Sequence, residues 1–163
     1  MQNIFKDIWN RLHELPEYPD FDTVGNLVDA YLSIPIDEHL NYKEDSLTLL
    51  AEISDKQWHT YECIDNERKI KLENFLLNFT HFVSSDEVEL FFIPIGCFGL
   101  DNLYQKIKYE FQNNQLVYPK HVMETISEEL TSSGENVKNP YDTLEKQIRE
   151  SLQSKSKRSN PHG

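Results

Sequence analysis

Residues 84–101 read SSDEVELFFIPIGCFGLD, and the fold class turns on how this stretch folds. Val88, Leu90 and Phe92 alternate with Glu87, Glu89 and Phe91, the period of a β-strand over 88–93, which would make the protein α+β. The same residues suit a helix. Ser85 can serve as N-cap, and Asp86 and Glu87 then fall in the first turn, where carboxylates meet the positive end of the helix dipole. The helix is the preferred reading, because a lone strand finds no obvious partner. From Phe91 onward, FFIPIGCFGLD reads as a buried turn into the next helix. Gly96 and Gly99 supply its backbone freedom, through positive φ or close approach.

Outward from this stretch, the apolar residues keep helical spacing. Ile4, Phe5, Ile8, Trp9 and Leu12 share one stripe, stopped by Pro16 and Pro19. Asp20 or Asp22 can cap a second helix on Phe21, Val24, Leu27, Val28, Tyr31 and Leu32, ended by Pro35. A short polar segment follows. Leu47, Leu50 and Ile53 then suggest a third helix, and Asp55 caps a run holding Trp58, Tyr61 and Ile64. Leu72, Phe75, Leu76, Phe79, Phe82 and Val83 make the clearest amphipathic pattern, with Asp65-Asn66 a natural break before it. Two more stripes follow, Leu100 to Phe111 and Val122 to Leu130, then a loop, TSSGENVKNP, over 131–140. Tyr141, Leu144, Ile148 and Leu152 suit a last short helix, and 153–163 reads as a disordered basic tail. The sum is a predominantly all-α protein of about seven to nine helices, a single domain over 1–152.

Composition narrows the function. The 163 residues contain seven Pro and five Gly, few breakers for a protein of many short strands. Nine Phe, eight Tyr and two Trp supply large buried area per residue. No basic leader precedes an apolar run and no stretch is long enough to span a bilayer, so the expectation is a cytoplasmic protein with reduced thiols. Net charge is −12, and it is uneven: residues 1–65 hold 14 Asp/Glu against four Lys/Arg, a net −10. Such a surface repels a phosphate backbone and attracts a basic partner.

Catalytic signals are thin. Cys97 is a candidate nucleophile, but its neighbours Phe92, Ile93, Ile95 and Phe98 favour the neutral thiol, so it reads as a small core residue. His121 and Glu124 lie one helical turn apart, yet nothing completes a metal shell around them. There is no HExxH, CxxC, GxxxxGK[ST] or GxGxxG. Arg68, Lys69 and Lys71 read as intrahelical partners of Glu67 and Glu73. No enzyme activity, cofactor or metal is expected.

Three segments carry a family resemblance: YPDFDTVGNLVDAYL (18–32), DSLTLLAEISDKQW (45–58) and ELFFIPIGCFGLDNLYQ (89–105). Together they resemble bacterial contact-dependent growth inhibition immunity proteins, over roughly residues 2–112. The resemblance implies a cytoplasmic protein that binds the C-terminal domain of one cognate toxin, a basic nuclease, and occludes its active or substrate surface. It implies no direct contact with nucleic acid or membrane. Acidic residues would then stand in for phosphates, pairing with toxin Lys and Arg. The expected contact residues are Glu17, Asp20, Asp22, Asp29, Asp37, Glu38, Glu44 and Asp45, with Tyr18 as aromatic anchor. Two other classes remain open: a different acidic interaction module, such as a nucleic-acid mimic or adaptor, and a small Cys97-dependent enzyme.

Overall fold

Residues 84–101 fold as a helix and its cap. A computed structural model of the chain describes residues 1–133 and 137–141, and these contain eight α-helices and no strand. In chain order they are α1 (Asn3–His13), α2 (Phe21–Ser33), α3 (Ile36–Asn41), α4 (Lys43–Trp58), α5 (Asn66–Leu76), α6 (Ser85–Phe98), α7 (Asp101–Gln112) and α8 (Lys120–Ser133). A 3-10 turn, Leu77–Phe79, extends α5.

The start of α6 shows why helix wins over strand. Ser84, one residue before the expected cap, accepts the Glu87 N–H at 3.2 Å. The Glu87 carboxylate in turn accepts the Val83 N–H at 2.8 Å and lies 3.4 Å from Lys43 Nζ, so helix start and α4 are tied together. Both orphan donors and the nearby charge are satisfied locally, which no lone strand could do. Val88, Phe91, Phe92 and Ile95 are buried on the faces that α6 packs against α4 and α8.

The expected turn over 91–101 is corrected. The helix runs through Pro94 and Gly96 to Phe98, and the chain turns only at Gly99 (φ 69°, ψ 46°). An interior proline costs a helix about 3 kcal/mol through its lost N–H and steric clash, and here the tertiary contacts of α6 override that preference. At Gly99 glycine is required: φ is positive, and a Cβ would stand 2.8 Å from the Lys138 carbonyl oxygen. Gly96 serves neither purpose assigned to it. Its φ is not positive, and a Cβ there would meet nothing within 4 Å.

Other elements follow the stripes, with local corrections. Asp20 caps α2, accepting the Thr23 N–H at 3.2 Å, and Asp65 caps α5, accepting the Arg68 N–H at 3.0 Å. The segment after Pro35 is a helix, α3, rather than polar loop. Asp55 lies inside α4 and caps nothing, because the helix ends at Trp58 and Tyr61 stands outside it. Lys71 pairs with Glu67 within α5 as expected, at 3.2 Å. Arg68 and Glu73 do not pair within the helix. Arg68 reaches across to Asp29 of α2, and Glu73 accepts the Leu103 N–H at the start of α7 at 2.7 Å. Phe5, Leu27, Tyr31, Leu47, Leu50, Leu72 and Phe79 are essentially inaccessible, and each large apolar side chain removed from water contributes about 1.5–3 kcal/mol. The helix expected over 141–152 and the tail over 153–163 fall, apart from Tyr141, outside the described residues.

Candidate protein-binding surface

The helices α2 and α4 run antiparallel. Near the end of α2, the Tyr31 hydroxyl lies 2.8 Å from Ser46 Oγ at the start of α4. Before α2, Tyr18 stacks on Tyr61, which follows α4. Thirteen helical residues span about 20 Å, so α2 separates the expected contact residues into two groups.

Asp37, Glu38, Glu44 and Asp45 sit at the end of the pair where α3 joins α4. Asp37 and Glu44 are exposed and Glu38 is half-buried. Asp45 accepts the Gln2 N–H at 2.9 Å, which holds the N-terminus of the chain against α4.

Beneath this group lies a polar network that the sequence reading did not single out. His39 and Ser46 are fully buried, as is Tyr31. His39 Nε2 lies 2.9 Å from the Tyr31 carbonyl oxygen, which can only accept, so Nε2 carries the proton. Nδ1 then accepts from Ser46 Oγ at 2.7 Å, and Ser46 Oγ accepts from the Tyr31 hydroxyl. Burial holds the imidazole below its usual range, partly opposed by the backbone carbonyls of Tyr31 and Ile34. The Ser–His contact has hydrogen-bond geometry, but both side chains are sealed in the core, where a substrate could not reach them. Nothing in the spacing of residues 31, 39 and 46 announces this contact; it arises because α3 folds back between two helices.

Glu17, Tyr18, Asp20 and Asp22 lie at the opposite end, beside the C-terminus of α4. Asp20 is engaged as a helix cap, and Glu17 and Asp22 are exposed. Asp29, further along α2, is drawn into an internal pair: Arg68 Nε and Nη2 donate to its two carboxylate oxygens at 3.0 and 2.8 Å, while Arg68 Nη1 holds Asp65 at 2.8 Å. Its charge is spent on joining α2 to α5, which leaves it less free to meet a partner.

Tyr18 is the most exposed aromatic of this end, at 61%, and its ring centroid lies 5.9 Å from that of Tyr61, itself 52% exposed. Tyr61 approaches Tyr141 at 6.3 Å, and Tyr141 stacks on Trp58 at 4.9 Å. The Tyr141 hydroxyl lies within 2.9–3.2 Å of the Gln57, Trp58 and Glu62 carbonyl oxygens, which pins residue 141 onto the end of α4. Burial, the largest influence, helps push this phenol up to about 12. Tyr61 has φ +57°, a left-handed conformation that costs a residue with a Cβ roughly 1–2 kcal/mol. The strained turn throws its ring outward onto Tyr18. In the sequence Tyr61 falls in a run expected to be helical, and no glycine or proline marks the turn.

Cys97 is only partly covered, and burial followed by the nearby Asp55 charge pushes its thiol up to about 12. Such a thiol is protonated at neutral pH and a poor nucleophile. Cys63 is exposed, and both cysteines are free thiols. On α8, Glu124 lies 3.8 Å from Lys120. Among the described residues no three His, Cys, Asp or Glu side chains gather as a metal site would require, and no helix is long and apolar enough to cross a membrane.

No protein-family model, curated protein or solved structure matches this chain.

Proposed function

We propose that this chain is an immunity protein of the contact-dependent growth inhibition kind, which binds a basic toxin domain in the cytoplasm and occludes its active or substrate surface. The observation that carries the reading is the exposed Tyr18–Tyr61 stack with the exposed carboxylates Glu17 and Asp22 beside it, which no base among the described residues pairs. Large aromatics at the centre of an interface supply binding energy at low entropic cost, while surrounding acids steer a basic partner and set the register. A strained backbone holding one of those rings outward points the same way, since left-handed non-glycine residues concentrate at functional sites. The net −10 over residues 1–65 supplies the long-range attraction. In this reading Glu17, Asp22 and Tyr18 contact the toxin, and Asp37, Glu38 and Glu44 contribute chiefly to the field. Co-expression with the toxin domain encoded beside this gene should restore growth, whereas a toxin domain from another locus should remain lethal. Growth arrest despite co-expression removes the proposal.

A further inference from the structure

An open groove of about 620 Å³ lies between the C-terminal part of α4, α6 and α8. Its lining is largely apolar, formed by Trp58, Ile93 and the edge of the otherwise buried Phe92, with Gly96 opening it further. Three carboxylates, Asp55, Glu89 and Glu129, stand around it, and no lysine or arginine is among the described residues that line it. His59 sits near Asp55, but its Nδ1 is 2.8 Å from the Asp55 carbonyl and 3.7 Å from the carboxylate.

Gly96 is the second observation. It lies inside α6, where glycine weakens a helix relative to alanine. It is exposed, its φ is not positive, and a Cβ would meet nothing within 4 Å. Among the described residues, neither backbone conformation nor packing asks for glycine there. What its missing side chain provides is depth in the groove.

We infer that this groove receives an arginine side chain from an apolar segment of the protein partner. The guanidinium lies flat on Trp58 between the carboxylates, and flanking apolar residues cover Ile93. Arginine fits better than a small hydrated cation, which would gain nothing from an apolar floor and finds no gathered ligand set. Glu129 also gains from such an occupant: its carboxyl is pushed up by burial, then by the charges of Glu89 and Glu128, and a cation relieves that repulsion. The groove adjoins the aromatic surface described above, because Trp58 lines the groove and stacks on Tyr141. The inference rests on the protein-binding reading for the source of the arginine; the groove itself can be tested without the toxin.

The probe is the peptide acetyl-Leu-Arg-Leu-Leu-amide, titrated into the full chain and followed by NMR. Saturable shifts should concentrate at the Trp58 indole, the Ile93 methyls and the Gly96 amide. A peptide with citrulline in place of arginine, of the same shape without the charge, should bind at least about tenfold more weakly. Gly96→Trp fills the groove from a position with room for it, and should abolish the shifts while helical circular dichroism is retained. Should that variant fold poorly, Glu89→Gln with Glu129→Gln should weaken the peptide by a similar factor. Equal binding of the citrulline peptide, shifts centred on α3, or binding that survives Gly96→Trp overturns the inference. So does a response that appears only after Arg149→Glu, which would mean that the chain's own C-terminal bases fill the groove. Peptide binding without rescue from the toxin would sink the immunity reading alone; rescue without peptide binding would sink the groove alone.

Discussion

At one end of the α2–α4 pair, Tyr31, His39 and Ser46 satisfy one another's hydrogen bonds inside the core. At the other end, Tyr18 stacks on Tyr61, Tyr61 leans on Tyr141 and Tyr141 stacks on Trp58, a row that reaches solvent beside the exposed carboxylates Glu17 and Asp22, which no base among the described residues pairs. Both ends use aromatic and polar residues on or beside the same two helices, and α3 adds His39 to the closed one. The difference is where burial stops. Inside, an unpaired polar atom costs the full loss of its water, so the network closes on itself and serves stability. Outside, aromatic area and charge are left without partners within the described residues, at the expense of a strained turn at Tyr61 and an interior glycine at Gly96. That pattern is expected of a surface whose complement is another molecule.

The largest effect should come from breaking the closed end. His39→Ala removes a fully buried ring packed against Phe5, Tyr31 and Phe75, together with the Nδ1 acceptor of the Ser46 hydroxyl and the Nε2 donor to the Tyr31 carbonyl. It should cost about 3 kcal/mol in urea unfolding, with partner affinity per folded molecule unchanged. A loss under about 1 kcal/mol would mean that the network is ornamental.

The open end should respond the opposite way. Tyr18→Ala and Tyr61→Ala should each leave stability within about 0.5 kcal/mol of the parent, yet weaken the proposed toxin complex by about 2 kcal/mol, a factor of roughly thirty, in titration calorimetry. Tyr61→Ala also keeps the left-handed strain, whereas Tyr61→Gly should relieve it and stabilise the free protein by about 1 kcal/mol. Unchanged affinity in all three variants would remove the stack from the interface.

Two glycines three residues apart sharpen the same contrast. Gly99→Ala should destabilise by about 1–3 kcal/mol, because φ is +69° and its Cβ would strike the Lys138 carbonyl. Gly96→Ala should stabilise by about 0.5–1 kcal/mol, since a helical alanine there meets open space. Thermal melts of both variants check this, and equal signs would refute it.

The smallest effect is a pH slope. Burial keeps the His39 imidazole below its ordinary 6.5 in the native protein, while unfolded His39 titrates near that value. As pH falls through about 6.5 toward the lower native value, the unfolded state binds more protons, so stability is lost on acidification and is unaffected by this group above that window. Urea midpoints at pH 7.5 and 5.5 should fall further apart in the parent than in His39→Gln. Identical pH slopes would show that His39 is not the sensor.

The helices α1, α2, α7 and α8 were legible as periodic stripes because one face of each meets the core, and burial imprints itself on sequence at a spacing of three and four; the α5 stripe holds only as far as Phe79, since Phe82 and Val83 lie beyond the helix and Val83 is exposed. Asp20 and the Asp65-Asn66 break were readable for a similar reason: capping is local chemistry, decided within four residues. For the same reason Ser84 was misplaced by only one position. The continuation of α6 through Pro94 was not readable, since proline's local penalty opposes it and only packing against α4 and α8 outweighs it. Of the surface, Tyr18 and its neighbouring acids stood out by composition, but Asp29 looked like them until Arg68, 39 residues away, claimed it.

What the sequence by itself determined is the helical class, the acidic first half and most helix starts, because these depend on spacing, capping and charge within a few residues. Only the tertiary structure decided which acids are free, that Tyr61 leaves its helix to stack on Tyr18, that His39 is sealed with Ser46, and that Gly96 opens a groove rather than a turn. Each of those depends on residues far apart in the chain, brought together by burial that no local pattern encodes.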